Sequence, residues 1–429
     1  MNIRNDWKIR PYNSNTARQS EVVFKKYWNA YKSVMTDPSN RNKILTITGV
    51  GITTYYLSPS AQVRKITNVF KEGKFIQNDD APDPNSLVKR EDLEEALIKI
   101  LRLKSGAYCL IVGEHGTGKT NLIRNIILKL KKPKGVVHFE CPSVMDDFSK
   151  QLASHLNCEL YSFNFLDIIR KWITGVRRQE QIYKSKYADW SLLSEQLINA
   201  AVSFKKKYGR PIVLILDQVD RIAKNDQEFL EILQDFAKDH ADRGSIIIVF
   251  VSSEGLVQKL LKSRSAWSRA IHLEIGDISD EAAVKFLENS DVDKNIAKNV
   301  VSHLTGGRFA LLQQFKNQYN VTPNIAAEEF RNQLFTRIQY SLNNIKISER
   351  HKLFTKLIEL KCIDIKEAKT IIPLDILHKL IEDNIFSGQH NNRTMSFHSR
   401  YVETYFKELK LLQVTLIVLR RLLDDGFKL

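Results

Sequence analysis

The chain has 429 residues, 43% of them hydrophobic and 27% charged, and a formal net charge of +16. It is too long for one ordinary domain, and its composition excludes a disordered or fibrous polypeptide. Its four cysteines, Cys109, Cys141, Cys158 and Cys362, include no C-x-x-C pair. They read as buried thiols of a reduced intracellular protein, not as a disulfide scaffold or zinc site.

Residues 1–80 form a mixed leader with 13 basic and 6 acidic side chains, against 17 and 13 in residues 321–429. The positive excess is therefore heaviest at the N-terminus and is not packed into one recognition helix. A solvated basic exterior is slightly favoured over a nucleic-acid or membrane partner. The opening at Met1 is polar and carries no secretory pattern. Helical periodicity is expected over Arg18–Val34 and Ala61–Lys74. Between them, Ile44–Leu57 is uncharged but shorter than the roughly 18–20 apolar residues that span a bilayer. A buried strand or docking segment is favoured there, and a membrane anchor is the second reading. Asn78–Ser86, with two prolines, reads as a linker.

Residues 87–278 alternate short apolar runs with amphipathic helices. Strands are expected at Tyr108–Val112, Val136–Cys141, Ile212–Asp217, Ser245–Ser252 and Ile271–Ile275. Helices are expected at about Asp146–Leu156, Asp189–Tyr208 and Gln227–Asp239. This pattern predicts an α/β fold with a parallel five-stranded sheet covered on both faces. From Ser279, an N-cap followed by Asp280 and Glu281, only helices are evident: Lys294–Leu304, Phe309–Gln318 and Ala326–Leu342. Residues 279–345 read as a helical lid. Residues 346–429 read as a mostly helical, winged-helix-like domain, with two short strands in Ile385–Phe397 around a Gly/Asn turn and a closing helix at Leu409–Leu423.

The chemistry centres on Gly113, Glu114, His115, Gly116, Thr117, Gly118, Lys119 and Thr120. They fit G-x-x-x-x-G-K-[ST] at every position, between a strand and a helix. Glycines let backbone amides curve around phosphates, and the helix N-terminus adds positive potential. Lys119 is expected on the β- and γ-phosphates and Thr120 on Mg²⁺. Asp217, at the end of an apolar strand run, is expected to hold Mg²⁺ through its water shell. The next position, where a water-activating glutamate is usual, holds Gln218, which can orient water but not take its proton. Asp220 is three residues further on. Ser252 or Ser253 closes the fourth strand where a polar group can meet the γ-phosphate. Arg264 and Arg269 precede the fifth strand and could reach a phosphate of this chain or of a neighbouring copy, or be ordinary surface arginines. Arg308 heads a helix and is a similar candidate.

These residues resemble the AAA+/STAND branch of P-loop NTPases, in particular initiator-like and archaeal-type ATPases, over residues 87–320. The resemblance implies Walker A at Gly113–Thr120, Walker B at Ile215–Asp220, sensor 1 at Ser252 or Ser253, and an arginine finger at Arg264 or Arg269. It further implies a sensor 2-like Arg308 in Thr305–Arg308 and an adenine-side motif at Leu87–Leu93 that includes Val88. Gln218 departs from the pattern. The expected function is an ATP- and Mg²⁺-dependent conformational switch with hydrolysis, and with protein partners or self-association. The alternatives are a non-hydrolysing scaffold or signalling protein, and a DNA-binding initiator-like ATPase in which Arg393, His398, Arg400 and Lys407 face nucleic acid. Nucleic acid is not favoured. The expected location is cytoplasmic or organelle-associated, with tethering through Ile44–Leu57 left open.

Overall fold

In the computed structural model the described residues are 59–74, 90–102, 106–132, 134–144, 147–160, 186–253, 255–342, 347–389 and 394–410. The helix expected at Arg18–Val34, the apolar stretch Ile44–Leu57, Val88 and Arg393 lie outside them. Among the described residues no helix is long and apolar enough to cross a membrane.

Five parallel strands build the central sheet: β1 (Tyr108–Val112), β2 (Val136–Glu140), β3 (Ile212–Asp217), β4 (Ile246–Ser252) and β5 (Ala270–Glu274), in the order β2-β3-β4-β1-β5. Every residue of β3 and β4 is buried. Both faces are covered, so their sequences run apolar without alternation. On one face pack α1 (Pro59–Glu72), α4 (Phe148–His155), α5 (Ala188–Tyr208) and α7 (Gln227–Arg243). On the other pack α2 (Glu91–Leu101) and α3 (Lys119–Lys129). Short helices α6 (Asp220–Asn225) and α8 (Gly255–Lys262) follow β3 and β4.

Helix α1 belongs to the leader by sequence but not by packing. Its Ile66, Val69 and Phe70 are buried in the same cluster as Leu197, Phe204 and Phe139. Burial of side chains of this size contributes about 1.5–3 kcal/mol each. Lys74 extends the contact by bridging to Val137 alongside β2.

Register lines up the strand ends. Glu140 lies opposite Asp217, Asp217 opposite Val251, and Val112 opposite Ser252. Because β4 sits between β1 and β3, the ends of four strands share one rim. Open parallel sheets bind ligands beyond this carboxyl-terminal edge.

The chain then forms α9 (Asp280–Glu288), α10 (Lys294–Val300), α11 (Phe309–Val321) and α12 (Ala326–Leu342). Ser279 caps α9, its side chain accepting from the Ala282 amide. The single helix expected over Lys294–Leu304 stops at Val300 and widens into a π turn over Val301–Thr305. Beyond lie α13 (Ile347–Leu360), β6 (Cys362–Asp364), α14 (Ile365–Ile371), α15 (Leu374–Glu382), β7 (Phe386–Gln389), β8 (Thr394–Phe397) and a helix, α16, over 400–410. The strands form an antiparallel sheet in the order β6-β8-β7, set among these helices. β6 was not foreseen, because three residues wedged between helices carry no readable alternation. The expected closing helix lies mostly outside the described residues, and α16 already begins at 400. Residues from Ile278 to Phe406 share one buried cluster, so the lid and the C-terminal region pack together. Cys109, Cys141 and Cys158 are buried as expected, but Cys362, on an edge strand, is exposed.

Candidate functional site

The loop after β1 turns sharply before α3. Gly116 and Gly118 have φ of +84° and +86°, a left-handed conformation that glycine adopts without penalty. A Cβ on Gly113 would lie 2.2 Å from the Ile275 carbonyl oxygen, so the loop also presses against the chain leaving β5. Lys119 folds back, its Nζ donating to the carbonyls of Gly113 at 2.9 Å and Glu114 at 2.8 Å. Burial lowers the Lys119 pKa to about 8, against the opposing pull of Asp217 and Asp220. A phosphate arriving there would stabilise the ammonium further.

At the end of β3, Asp217 gathers three donors. Thr120 Oγ1 donates to Oδ2 at 2.7 Å, His138 Nε2 to the same oxygen at 3.0 Å, and the Gln218 amide to Oδ1 at 2.8 Å. Burial alone would raise this carboxyl, but the bonds from His138, Thr120 and Gln218 outweigh it and hold its pKa below the usual value. Thr120 and Asp217 therefore offer hard oxygen donors side by side, one of them ionised. This fits Mg²⁺, which binds through one or two protein oxygens, substrate phosphates and water. Among the described residues no group of three His, Cys, Asp or Glu side chains could hold a metal alone.

Asp220 is held to the adjacent strand: Ser252 Oγ donates to Oδ1 at 2.5 Å and the Ser253 amide to Oδ2 at 2.8 Å. Ser252 thus sits on the rim, engaged with Asp220. Gln218 has φ of +59° and its Nε2 donates to Glu140 Oε1 at 2.7 Å.

Arg308 enters from the head of α11 and is almost fully buried. It donates to Asp277 Oδ1 at 2.7 Å, the His115 carbonyl at 2.9 Å, the His398 carbonyl at 2.9 Å, and the Glu114 carboxylate. The Ala310 amide donates to the Gly116 carbonyl at 2.9 Å. A loop on the sheet, a lid helix and the C-terminal region therefore meet at one guanidinium. Arg90 adds a tie, donating to the carbonyls of Gly276 at 3.0 Å and Thr117 at 3.1 Å.

Residues 87–315 match the family described as an ATPase domain predominantly from Archaea. The chain belongs to this family. The chain is 31% identical over 130 residues to an uncharacterized protein of Thermotoga maritima, covering 26% of this chain and 20% of that one. It is 24% identical over 223 residues to telomerase protein component 1 of Rattus norvegicus, covering 50% of this chain and 8% of that one. The chain thus spans a fifth of the first relative's length and under a tenth of the second's. Among solved structures it resembles a Walker-type ATPase of Pyrococcus abyssi, with a TM-score of 0.50 and 16% identity, over 75% of this chain and 96% of that one. That likeness shows the shared fold.

Of the residues singled out in the ATPase sequence, Gly113–Thr120, Asp217, Gln218, Ser252 and Arg308 come together at the rim. Arg264 and Arg269 do not join them. Arg264 pairs with Glu231 and Asp235, and Arg269 with Asp242, all on α7. Three contributors escaped sequence reasoning. His138 and Glu140 lie inside a strand whose apolar neighbours dominate the pattern. Arg90 lay within the adenine-side motif but carried no sign of its backbone targets.

Proposed function

We propose that this archaeal-type ATPase binds ATP with Mg²⁺ on the Gly113–Thr120 loop and uses the γ-phosphate to bias its lid, hydrolysing the nucleotide to reset. In this reading Lys119 and the loop amides hold the phosphates, and Thr120 and Asp217 hold the metal, which would neutralise phosphate charge. Ser252 faces the γ-phosphate side. Residues 87–278 act as the core, 279–345 as the lid and 346–429 as the winged-helix-like output. The observation that carries it is Arg308. One lid residue contacts Glu114 and the His115 carbonyl of the phosphate loop and also the His398 carbonyl beyond the hairpin. A charge placed in the loop changes what Arg308 can pair with, and so couples nucleotide state to lid position.

The test is direct. Lys119→Ala should abolish binding of a labelled ATP analogue and Mg-dependent phosphate release. Unchanged analogue binding would dismiss the loop as the nucleotide site.

A second reading, a nucleotide-held scaffold without turnover, is favoured by Gln218 alone. Tight ATP binding with no phosphate release would establish it. A nucleic-acid role gains little from the described residues named for it: Arg400 pairs with Asp280, Lys407 with Glu403, and His398 lies against Arg308. Arg264 and Arg269 are committed to acids of α7, which favours the reading of ordinary surface arginines.

A further inference from the structure

We infer that Glu140, on the strand beside Asp217, supplies the carboxylate that takes the proton from the attacking water, the role Gln218 cannot fill. The inference rests on the hydrolytic reading above.

Position comes first. β2 and β3 are parallel neighbours with Glu140 opposite Asp217, so both acids stand on the same rim at the same height. Glu140 is also held. Gln218 Nε2 donates to its Oε1 at 2.7 Å, and Arg221 Nη1 donates to that oxygen at 3.2 Å and to the Cys141 carbonyl at 2.6 Å. Both bonds fall on Oε1. Among the described residues Oε2 has no hydrogen-bond partner, and the side chain is 26% exposed, so this oxygen is open to water.

The other acids that follow β1 and β3 are committed. Both oxygens of Asp220 are occupied by Ser252 and Ser253. Asp217 carries Thr120, His138 and Gln218. The Glu114 carboxylate is taken by Arg308.

The identity of residue 218 then acquires a reason. A glutamate there would set two carboxylates at hydrogen-bond distance, where like charges disfavour joint ionisation. An amide instead donates to Glu140 and fixes its direction. The left-handed backbone of Gln218, unusual for a residue other than glycine, is consistent with a side chain aimed for a purpose.

In the step itself, the water oxygen bonds to the γ-phosphorus as its proton passes to Glu140. The bond from the γ-phosphorus to the β–γ bridging oxygen breaks, and its electron pair leaves with ADP. Glu140 returns the proton to solvent as the products depart.

The experiment compares labelled-analogue binding and phosphate release in wild type, Lys119→Ala, Glu140→Gln and the exchange variant Glu140→Gln/Gln218→Glu. Glu140→Gln should bind the analogue as wild type does and release phosphate about 100-fold more slowly, the scale of general-base catalysis. The exchange variant should recover turnover. Wild-type turnover that needs Lys119 but survives Glu140→Gln within a few-fold overturns the role of Glu140, as does an exchange variant no faster than Glu140→Gln. A wild type that binds the analogue and releases no phosphate overturns the hydrolytic reading instead. Should Glu140→Gln fail to bind, Glu140→Asp decides: slowed release with binding intact supports the proposal, and undiminished release overturns it.

Discussion

Arg308 and His398 meet beside the start of the Gly113–Thr120 loop: Arg308 Nη1 lies 3.2 Å from His398 Nε2, and Nη2 donates to the His398 carbonyl at 2.9 Å. The two residues are far apart in sequence, and their contact joins the lid helix to the segment after the hairpin. Removing the guanidinium leaves Glu114, Asp277 and two carbonyls without their donor. Arg308→Ala should therefore destabilise the fold by about 2 kcal/mol, less than a fully buried pair would cost because both carboxylates are partly exposed. Urea unfolding reads this out. An unshifted midpoint would mean the contact does not hold these layers together.

Acid should weaken the protein before its carboxylates titrate. Burial, with Arg308 nearby, lowers the His398 pKa to about 3. Burial, with Lys74 nearby, lowers His155 to about 4, and burial with Arg243 lowers His240 to about 4. In the unfolded chain each takes its proton near pH 6.5. Between that pH and the folded values the unfolded state binds more protons, so their stabilising effect is complete above pH 6.5 and is lost as the pH falls towards 4. The ceiling is about 1.4 kcal/mol per pH unit for each group. Urea midpoints at pH 7, 6 and 5 should fall in order, and the fall should be shallower in His240→Gln. A flat series would contradict the burial of these rings.

Thiol labelling should pick out one cysteine. Burial raises the pKa of Cys109 and Cys158 to about 12 and that of Cys141 well above its ordinary value, while Cys362 is exposed. Only the thiolate reacts. A maleimide at pH 7 should modify Cys362 promptly and the other three only after denaturation, with Cys362→Ser leaving the native protein almost unlabelled. Rapid reaction at a second position would place that thiol at the surface.

Two glycines, Gly276 and Gly307, should behave in opposite ways. A Cβ on Gly307 would lie 1.7 Å from the Ile278 carbonyl oxygen, backbone that has little room to move, whereas a Cβ on Gly276 meets nothing within 4 Å. Gly307→Ala should cost on the order of 3 kcal/mol or more, or prevent soluble expression. Gly276→Ala should be nearly silent. Equal melting temperatures for the two variants would refute the close approach of the lid turn to the chain leaving β5.

The core was legible in the sequence because its signals are local. Ile212–Asp217 and Tyr108–Val112 are apolar runs of strand length flanked by glycine or proline, and the Gly116–Lys119 stretch needs backbone angles that few sequences permit. The rim partners were not legible because they depend on register. Nothing in Val136–Glu140 says that its last residue stands opposite Asp217, or that His138 reaches the same carboxylate. Boundaries drifted where capping decides them: α7 runs on to Arg243, ending at left-handed Gly244, four residues past the expected stop at Asp239. The assignment of residues 1–80 to a separate leader followed a composition break at the prolines, and composition carries no information about where Phe70 packs.

That packing matters for anyone trimming the gene. A fragment cut to the family match would begin after α1, stripping Ile66, Val69 and Phe70 from their places against α5 and leaving an oily trench along the sheet. Its other end would fall at Phe315, inside α11, whose ring is wholly enclosed by lid neighbours. A piece that keeps these contacts is thus larger than the recognisable one, and reaches from about residue 59 past the lid.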